Sequence, residues 1–237
     1  MPSSLQQNVK AFVCSHPSLY RWGVTLLRRE KLNLLADRGT GIVIDGYPRS
    51  ANTRAIVAFQ LAGNHTVRIA HHTHAPATIL TGCSYNIPTV VLVRDPIDAV
   101  TSAAIFTGRA PSQLLREWIW FYRVCWPARS SFVVAPFELV VSDFGKVIRK
   151  VNKVWNTSYK TLVVNRQNEA RIQERVELIA RRSGQGERQV ARPSRIRDEY
   201  KATVQSMVSG HVGLLNEARH ILERYIEVAA QQHLQVD

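Results

Sequence analysis

Short β-branched runs alternating with helical segments predict an α/β chain: a three-layer α/β/α arrangement around a central parallel sheet. The runs Ile42-Val43-Ile44, Val67–Ala70, Thr89–Val93 and Phe132–Ala135 have the composition of short buried strands. Helical patterns stand between the first and second runs and between the third and fourth, as parallel crossovers require. The most unusual residues stand just after Ile44, Ala70 and Val93, at the carboxyl edge where such sheets hold their ligands.

Each element follows in order. Residues 5–37 set Leu19, Trp22, Leu26 and Leu27 among Arg21, Arg28, Arg29 and Lys31, the pattern of one or two basic amphipathic helices. Gly39 and Gly41 break that segment, and the first strand ends in Gly46. Asn52–Leu61 reads as a helix stopped by Gly63. After the strand Thr89–Val93, Asp95 is placed to cap a helix with Pro96 at its first position, running to about Phe106. Ser112–Val124 is a helix rich in Trp and Tyr. Its Trp118, Trp120, Phe121 and Tyr122, with Trp126 beyond, have the spacing of helix core, although they would also suit an acceptor pocket. Phe137–Trp155 is helical with a break expected near Gly145, and 168–182 is helical. A Gly- and Arg-containing loop spans Ser183–Ser194. A long helical region from Arg197 to about Gln232 is interrupted near Gly210. No linker divides the chain, so one domain is expected: a basic helical segment over 1–38, a core over 40–155, and an arginine-rich part over 166–237.

Composition narrows the function. Among 237 residues, 31 Lys and Arg against 18 Asp and Glu give a net charge of +13. An apolar fraction of 45% and a charged fraction of 21% exclude wholesale disorder. No apolar run approaches the roughly 18 residues of a spanning helix. The N-terminal stretch lacks the pattern of a secretory signal. Three cysteines, odd in number and in no metal-like spacing, predict neither a disulfide framework nor a zinc site. A reduced, cytoplasmic setting is expected. The charge predicts an anionic partner: nucleic acid, an acidic membrane surface or a phosphate-rich ligand.

Two segments carry anion-binding chemistry. Gly46-Tyr47-Pro48-Arg49-Ser50-Ala51-Asn52-Thr53 joins a strand to a helix, where free N–H groups and the helix dipole favour an anion. It has the length of a P-loop, but Ala51-Asn52-Thr53 replaces Gly-Lys-Ser/Thr, which argues against ATP or GTP hydrolysis. Arg49 supplies a cation instead. An ordinary turn with a surface arginine is the alternative. In Arg94-Asp95-Pro96-Ile97-Asp98-Ala99-Val100-Thr101-Ser102, Ser102 stands eight positions after Arg94. An arginine fork and a hydroxyl there suit one phosphate. Pairing of Arg94 with Asp95 or Asp98 is the alternative.

Together these segments resemble the two nucleotide-binding motifs of sulfotransferases that use 3′-phosphoadenosine 5′-phosphosulfate (PAPS). Phe132–Leu139 resembles the strand and turn that follow in that family, so the likeness covers roughly 40–155. The resemblance implies a P-loop nucleotide-hydrolase-like fold and PAPS as the sulfuryl donor. Arg49, Ser50, Ala51, Asn52 and Thr53 would then hold the 5′ side, and Arg94 and Ser102 the 3′-phosphate. Between Arg166 and Arg197 lie nine arginines and four glutamates. A loop there would close over the 3′-phosphate, with Arg192 the candidate within 182–197; a solvated charged surface is the alternative.

The sequence also departs from the family. Ala51 and Arg54 stand where glycine and tryptophan are common, and the cytosolic branch's Gly-x-x-Gly-x-x-Lys is absent. Thr73-His74-Ala75-Pro76 resembles the Thr-His-x-Pro that carries the general base in the cytosolic branch. This makes His74 the candidate base, with His72 the second choice. Only 25 positions separate Arg49 from His74, leaving no room for the family's longer acceptor-binding insertion. His71-His72-Thr73-His74 has no recognisable metal spacing, so no metal is expected. The expected enzyme is a PAPS-dependent sulfotransferase using Arg49 and His74 on an acceptor hydroxyl or amine of a small molecule, lipid or carbohydrate. The rival is a basic module on a P-loop-like fold that binds nucleic acid or an anionic membrane. Nucleic acid is disfavoured by the lack of any recognition signature. The amphipathic N-terminus favours peripheral membrane contact.

Overall fold

A computed structural model describes residues 4–182 and 195–234. Four strands, β1 (Ile42–Gly46), β2 (Ile69–His71), β3 (Thr89–Val93) and β4 (Val133–Pro136), form one sheet in the order β2-β1-β3-β4. Every pairing is parallel: Ile42 lies opposite Ile69, Ile44 opposite Val90, and Val91 opposite Val134. The helices are α1 (Ser4–Ser15), α2 (Pro17–Leu27), α3 (Asn52–Phe59), α4 (Pro76–Ser84), α5 (Pro96–Thr107), α6 (Pro111–Cys125), α7 (Phe137–Trp155), α8 (Arg166–Arg182), α9 (Arg195–Ser209) and α10 (Val212–Leu234).

Strand alternation sorts the side chains to two faces. Ile42, Ile44, Val90, Leu92, Val133 and Ala135 pack with α3, α7 and Ile172 of α8. Val91, Val93 and Val134 pack on the other side with Ile79 of α4 and with α5, α6, α9 and α10. The chain steps one way from β1 to β2 and back the other way from β2 to β3. Crossovers of one hand therefore place α3 and α4 on opposite faces. The reversal opens a crevice between the carboxyl ends of β1 and β3. Gly46 is needed there: a Cβ at that position would lie 2.4 Å from the Leu92 carbonyl oxygen.

Several boundaries differ from expectation. The second strand starts at Ile69, so it ends with His71. Helix α3 widens into a π turn over Gln60–Asn64, with Gly63 at φ 100°. The break in α7 falls at Asp143 (φ −152°, ψ 79°). The C-terminal helical region is interrupted around Gly210, as expected, between α9 and α10. Trp118, Phe121 and Tyr122 are fully buried, and Trp120 and Trp126 pack against the same core.

Candidate functional site

The loop from β1 to α3 is bent into an unusual shape. Arg49 (φ 69°) and Ala51 (φ 66°) both occupy left-handed backbone, which costs a side-chain-bearing residue about 1–2 kcal/mol. Such strain gathers where a loop must aim groups at a ligand. Ala51 is the N-cap of α3, and among the described residues no side-chain hydrogen bond caps that helix. By contrast, Asp95 caps α5 by accepting from the N–H groups of Ile97 and Asp98 at 2.8 and 3.1 Å. The first turn of α3 is thus the one of the two left open to an anion. Asn52 Nδ2 donates to the Tyr47 carbonyl at 3.1 Å and holds the loop closed. The Tyr47 hydroxyl donates to the Leu114 carbonyl at 3.0 Å, anchoring the loop to α6. Ser50 Oγ and Asn52 Oδ1 are buried without a hydrogen-bond partner among the described residues.

The two anion-binding segments meet. Arg49 Nε donates to Ser102 Oγ at 3.0 Å, and Arg94 Nη1 donates to the Arg49 carbonyl at 3.0 Å. Arg94 Nη2 stands 3.8 Å from Asp98 Oδ2, a loose ion pair, while Asp95 is turned to its helix cap. Burial holds the Arg94 guanidinium below its ordinary value, against the pull of Asp98, Glu138 and Asp95. Its Nε is buried and has no hydrogen-bond partner among the described residues. The guanidinium of Arg94 lies 4.1 Å over the Phe137 ring, and that of Arg49 lies 5.1 Å from the Phe106 ring. These stacks fix planar cations without neutralising them.

The loop after β2 is organised by a carboxylate. Asp45, fully buried at the end of β1, accepts from the Thr73 N–H (2.9 Å), the Thr73 hydroxyl (2.7 Å) and the His74 N–H (3.2 Å). Its other oxygen accepts from the Gly46 N–H and lies 3.4 Å from His74 Nδ1. His74 Nδ1 donates to the Gly46 carbonyl at 2.9 Å. A carbonyl only accepts, so the proton sits on Nδ1 and Nε2 is the basic nitrogen. Burial works against a charged imidazole, but Asp45 and the Gly46 carbonyl outweigh it and hold His74 above the ordinary 6.5. Burial also opposes a charged Asp45, and His74, Thr73 and Gly46 outweigh that and keep it below the ordinary carboxylate value.

His72 differs. Its Nε2 lies 3.0 Å from Thr53 Oγ1 and its Nδ1 lies 2.7 Å from His71 Nδ1, so both nitrogens are engaged. Burial first, then the neighbouring His71 and His74, lowers its pKa to about 4. Burial likewise lowers His71. Both His72 (φ 52°) and His74 (φ 50°) are left-handed. Tyr20 of α2 borders this cluster: burial and the charges of Cys14 and Asp45 push its phenol up to about 12, against the Thr73 hydroxyl. A groove of about 410 Å³ opens on that side, lined by Tyr20, Arg21, Asp37, Arg38, Thr78 and Tyr85. Thr78 Oγ1 lies 2.9 Å from Thr73 Oγ1.

The structure therefore brings Arg49, Ser102 and Arg94 into one cluster, and sets His72 and His74 against Thr53 and Gly46 at the two ends of the first loop. Ser50, Ala51 and Asn52 form the turn between. Arg192 lies outside the described residues. Arg54 points away: it grips Glu169 of α8 at 2.6 and 2.7 Å and the Val141 carbonyl at 2.8 Å, a tie between helices. Sequence reasoning missed Asp45, Phe106 and Phe137. A carboxylate ending a buried apolar strand was the available signal for Asp45. Among the described residues, no group of three or more His, Cys, Asp and Glu side chains is arranged to hold a metal ion. No helix there is long and apolar enough to cross a membrane. Compared with known proteins, the chain matches no family model and no curated protein.

Proposed function

We propose that this protein is a sulfotransferase on a P-loop-like fold, moving a sulfuryl group from PAPS to an acceptor hydroxyl or amine. The meeting of Arg49, Ser102 and Arg94, drawn from two separate strand–helix loops, is the observation that carries the reading. The open first turn of α3 fits the 5′ phosphosulfate, and Arg94 with Ser102 fits the 3′-phosphate. Because Arg49 touches Ser102 directly, the two anion subsites share a wall.

The reaction is an in-line displacement. The bond from sulfur to the oxygen of the 5′-phosphate breaks, a bond from sulfur to the acceptor oxygen or nitrogen forms, and adenosine 3′,5′-bisphosphate leaves. His74 Nε2 takes the acceptor's proton, and Asp45 steadies the imidazolium that results. Arg49 and the α3 N–H groups offset the charge that builds on the leaving oxygen. His72 is a poorer base because both its nitrogens are bonded within the protein.

A thermal-shift panel of adenosine 3′,5′-bisphosphate, ATP and a random oligonucleotide separates this reading from its rival. A selective, salt-tolerant rise in Tm with the bisphosphate is expected. A steeply salt-dependent response to the oligonucleotide alone would instead mark a nucleic-acid-binding module.

A further inference from the structure

The N-terminal helix pair leaves a large apolar surface uncovered. Val9 and Phe12 of α1 are 56% and 57% exposed. On α2, Leu19, Trp22 and Leu26 follow at i, i+3 and i+7 and are 41%, 67% and 55% exposed; Leu27 beyond them is 83% exposed. That spacing puts Leu19, Trp22 and Leu26 on one face of the helix. Val24 is buried on the opposite side, where α2 packs on α4. Arg21 on α2, and Arg28 and Arg29 just after it, are exposed, as is the Glu30 that follows. No Asp or Glu occurs before Glu30, while Lys10, Arg21, Arg28 and Arg29 do.

We propose that α1 and α2 form a membrane-docking surface that lies in the interface of an anionic bilayer, with Phe12, Leu19, Trp22, Leu26 and Leu27 inserted and the arginines on the headgroup phosphates. An exposed apolar stripe on a helix whose one charged side chain is an arginine, with two more arginines just after it, is the pattern of an interfacial helix. Tryptophan favours that depth. Charge decides between occupants: a second copy seated on this face would bring arginines against arginines, whereas an anionic headgroup layer is complementary to them. Tyr20 projects from the same helix toward Thr73 and Asp45, so docking would hold the histidine cluster close to the lipid surface.

The test is co-sedimentation of the full chain with vesicles of phosphatidylcholine alone and with about one-third phosphatidylglycerol. No nucleotide is present, so the outcome is independent of the sulfuryl-transfer reading. Binding to the anionic vesicles, weakened by salt, is expected. Arg28→Gln with Arg29→Gln should lower partitioning by roughly 30-fold. Trp22→Ser with Leu26→Ser should abolish sedimentation. An unchanged circular-dichroism melt is expected for both variants, because these side chains are exposed. Failure to bind anionic vesicles overturns the proposal. So does binding that survives Trp22→Ser with Leu26→Ser, which would be unspecific charge attraction. A dimer seen by light scattering and split by that pair of changes would assign the face to a second copy instead.

Discussion

The loop after β1 carries Arg49 and Ala51 in left-handed backbone, and the loop after β2 carries His72 and His74 in the same conformation. These are four of the six non-glycine residues with positive φ among the described residues. The two loops share a backbone device but have opposite electrostatics. The first presents a helix start with no side-chain cap and the Arg49 guanidinium set against the Phe106 ring. The second is tied through Thr73 and His74 to the buried carboxylate of Asp45. In the proposed reaction one receives negative charge and the other handles a proton, and they sit side by side because β1 and β2 are paired neighbours.

The largest expected effect comes from breaking the second loop. His74→Asn keeps a donor for the Gly46 carbonyl but removes the basic Nε2. Sulfuryl transfer, measured as bisphosphate release with any acceptor that supports turnover, should fall by about 10²–10⁴-fold. Affinity for the bisphosphate should change little. The raised His74 pKa sets the pH dependence: rate should fall as pH drops through a value above 6.5. Asp45→Asn should move that limb to lower pH and cost about 1–3 kcal/mol of stability. For stability the signs differ. The Asp45–His74 pair contributes fully below 6.5 and loses its contribution as pH rises through the raised His74 value. Asp45's own contribution is present above its ordinary 3.8 and is lost as pH falls through the depressed value. A limb unmoved by either substitution would remove His74 from the role of base.

A smaller effect sharpens the first loop. Ala51→Gly relieves a left-handed alanine at φ 66°, so stability should rise by about 1 kcal/mol, read as a higher urea midpoint. The relief is partly offset by the greater freedom of glycine in the unfolded chain. A fall in stability would mean that the Ala51 methyl, packed against the core beneath α3, matters more than the backbone.

Much of this arrangement was legible from periodicity and punctuation. Val90 to Val93 read as a buried strand from composition, and Asp95-Pro96 read as a cap and a first turn; both are present. Helix α4 was not legible. Its sequence mixes β-branched Thr78, Ile79 and Thr81 with Gly82, a poor helix by propensity, and packing of Pro76 to Ile79 into the core overrides that. The partners of Asp45 were not legible either, because they lie 28 and 29 positions away and converge only when β1 and β2 pair. The position of Arg54 also needed the fold, since its partner Glu169 is 115 positions on.

The central claim is that the cluster of Arg49, Ser102 and Arg94 is a site for a doubly phosphorylated adenosine. Calorimetric titration of adenosine 3′,5′-bisphosphate and 5′-AMP into the wild type and Arg94→Ala tests it most directly. An arginine–phosphate contact of about 1.5–3 kcal/mol predicts a roughly ten- to hundred-fold preference for the bisphosphate in the wild type. That preference should vanish in Arg94→Ala, with 5′-AMP binding nearly unchanged. Equal affinity of the wild type for the two nucleotides would contradict the claim.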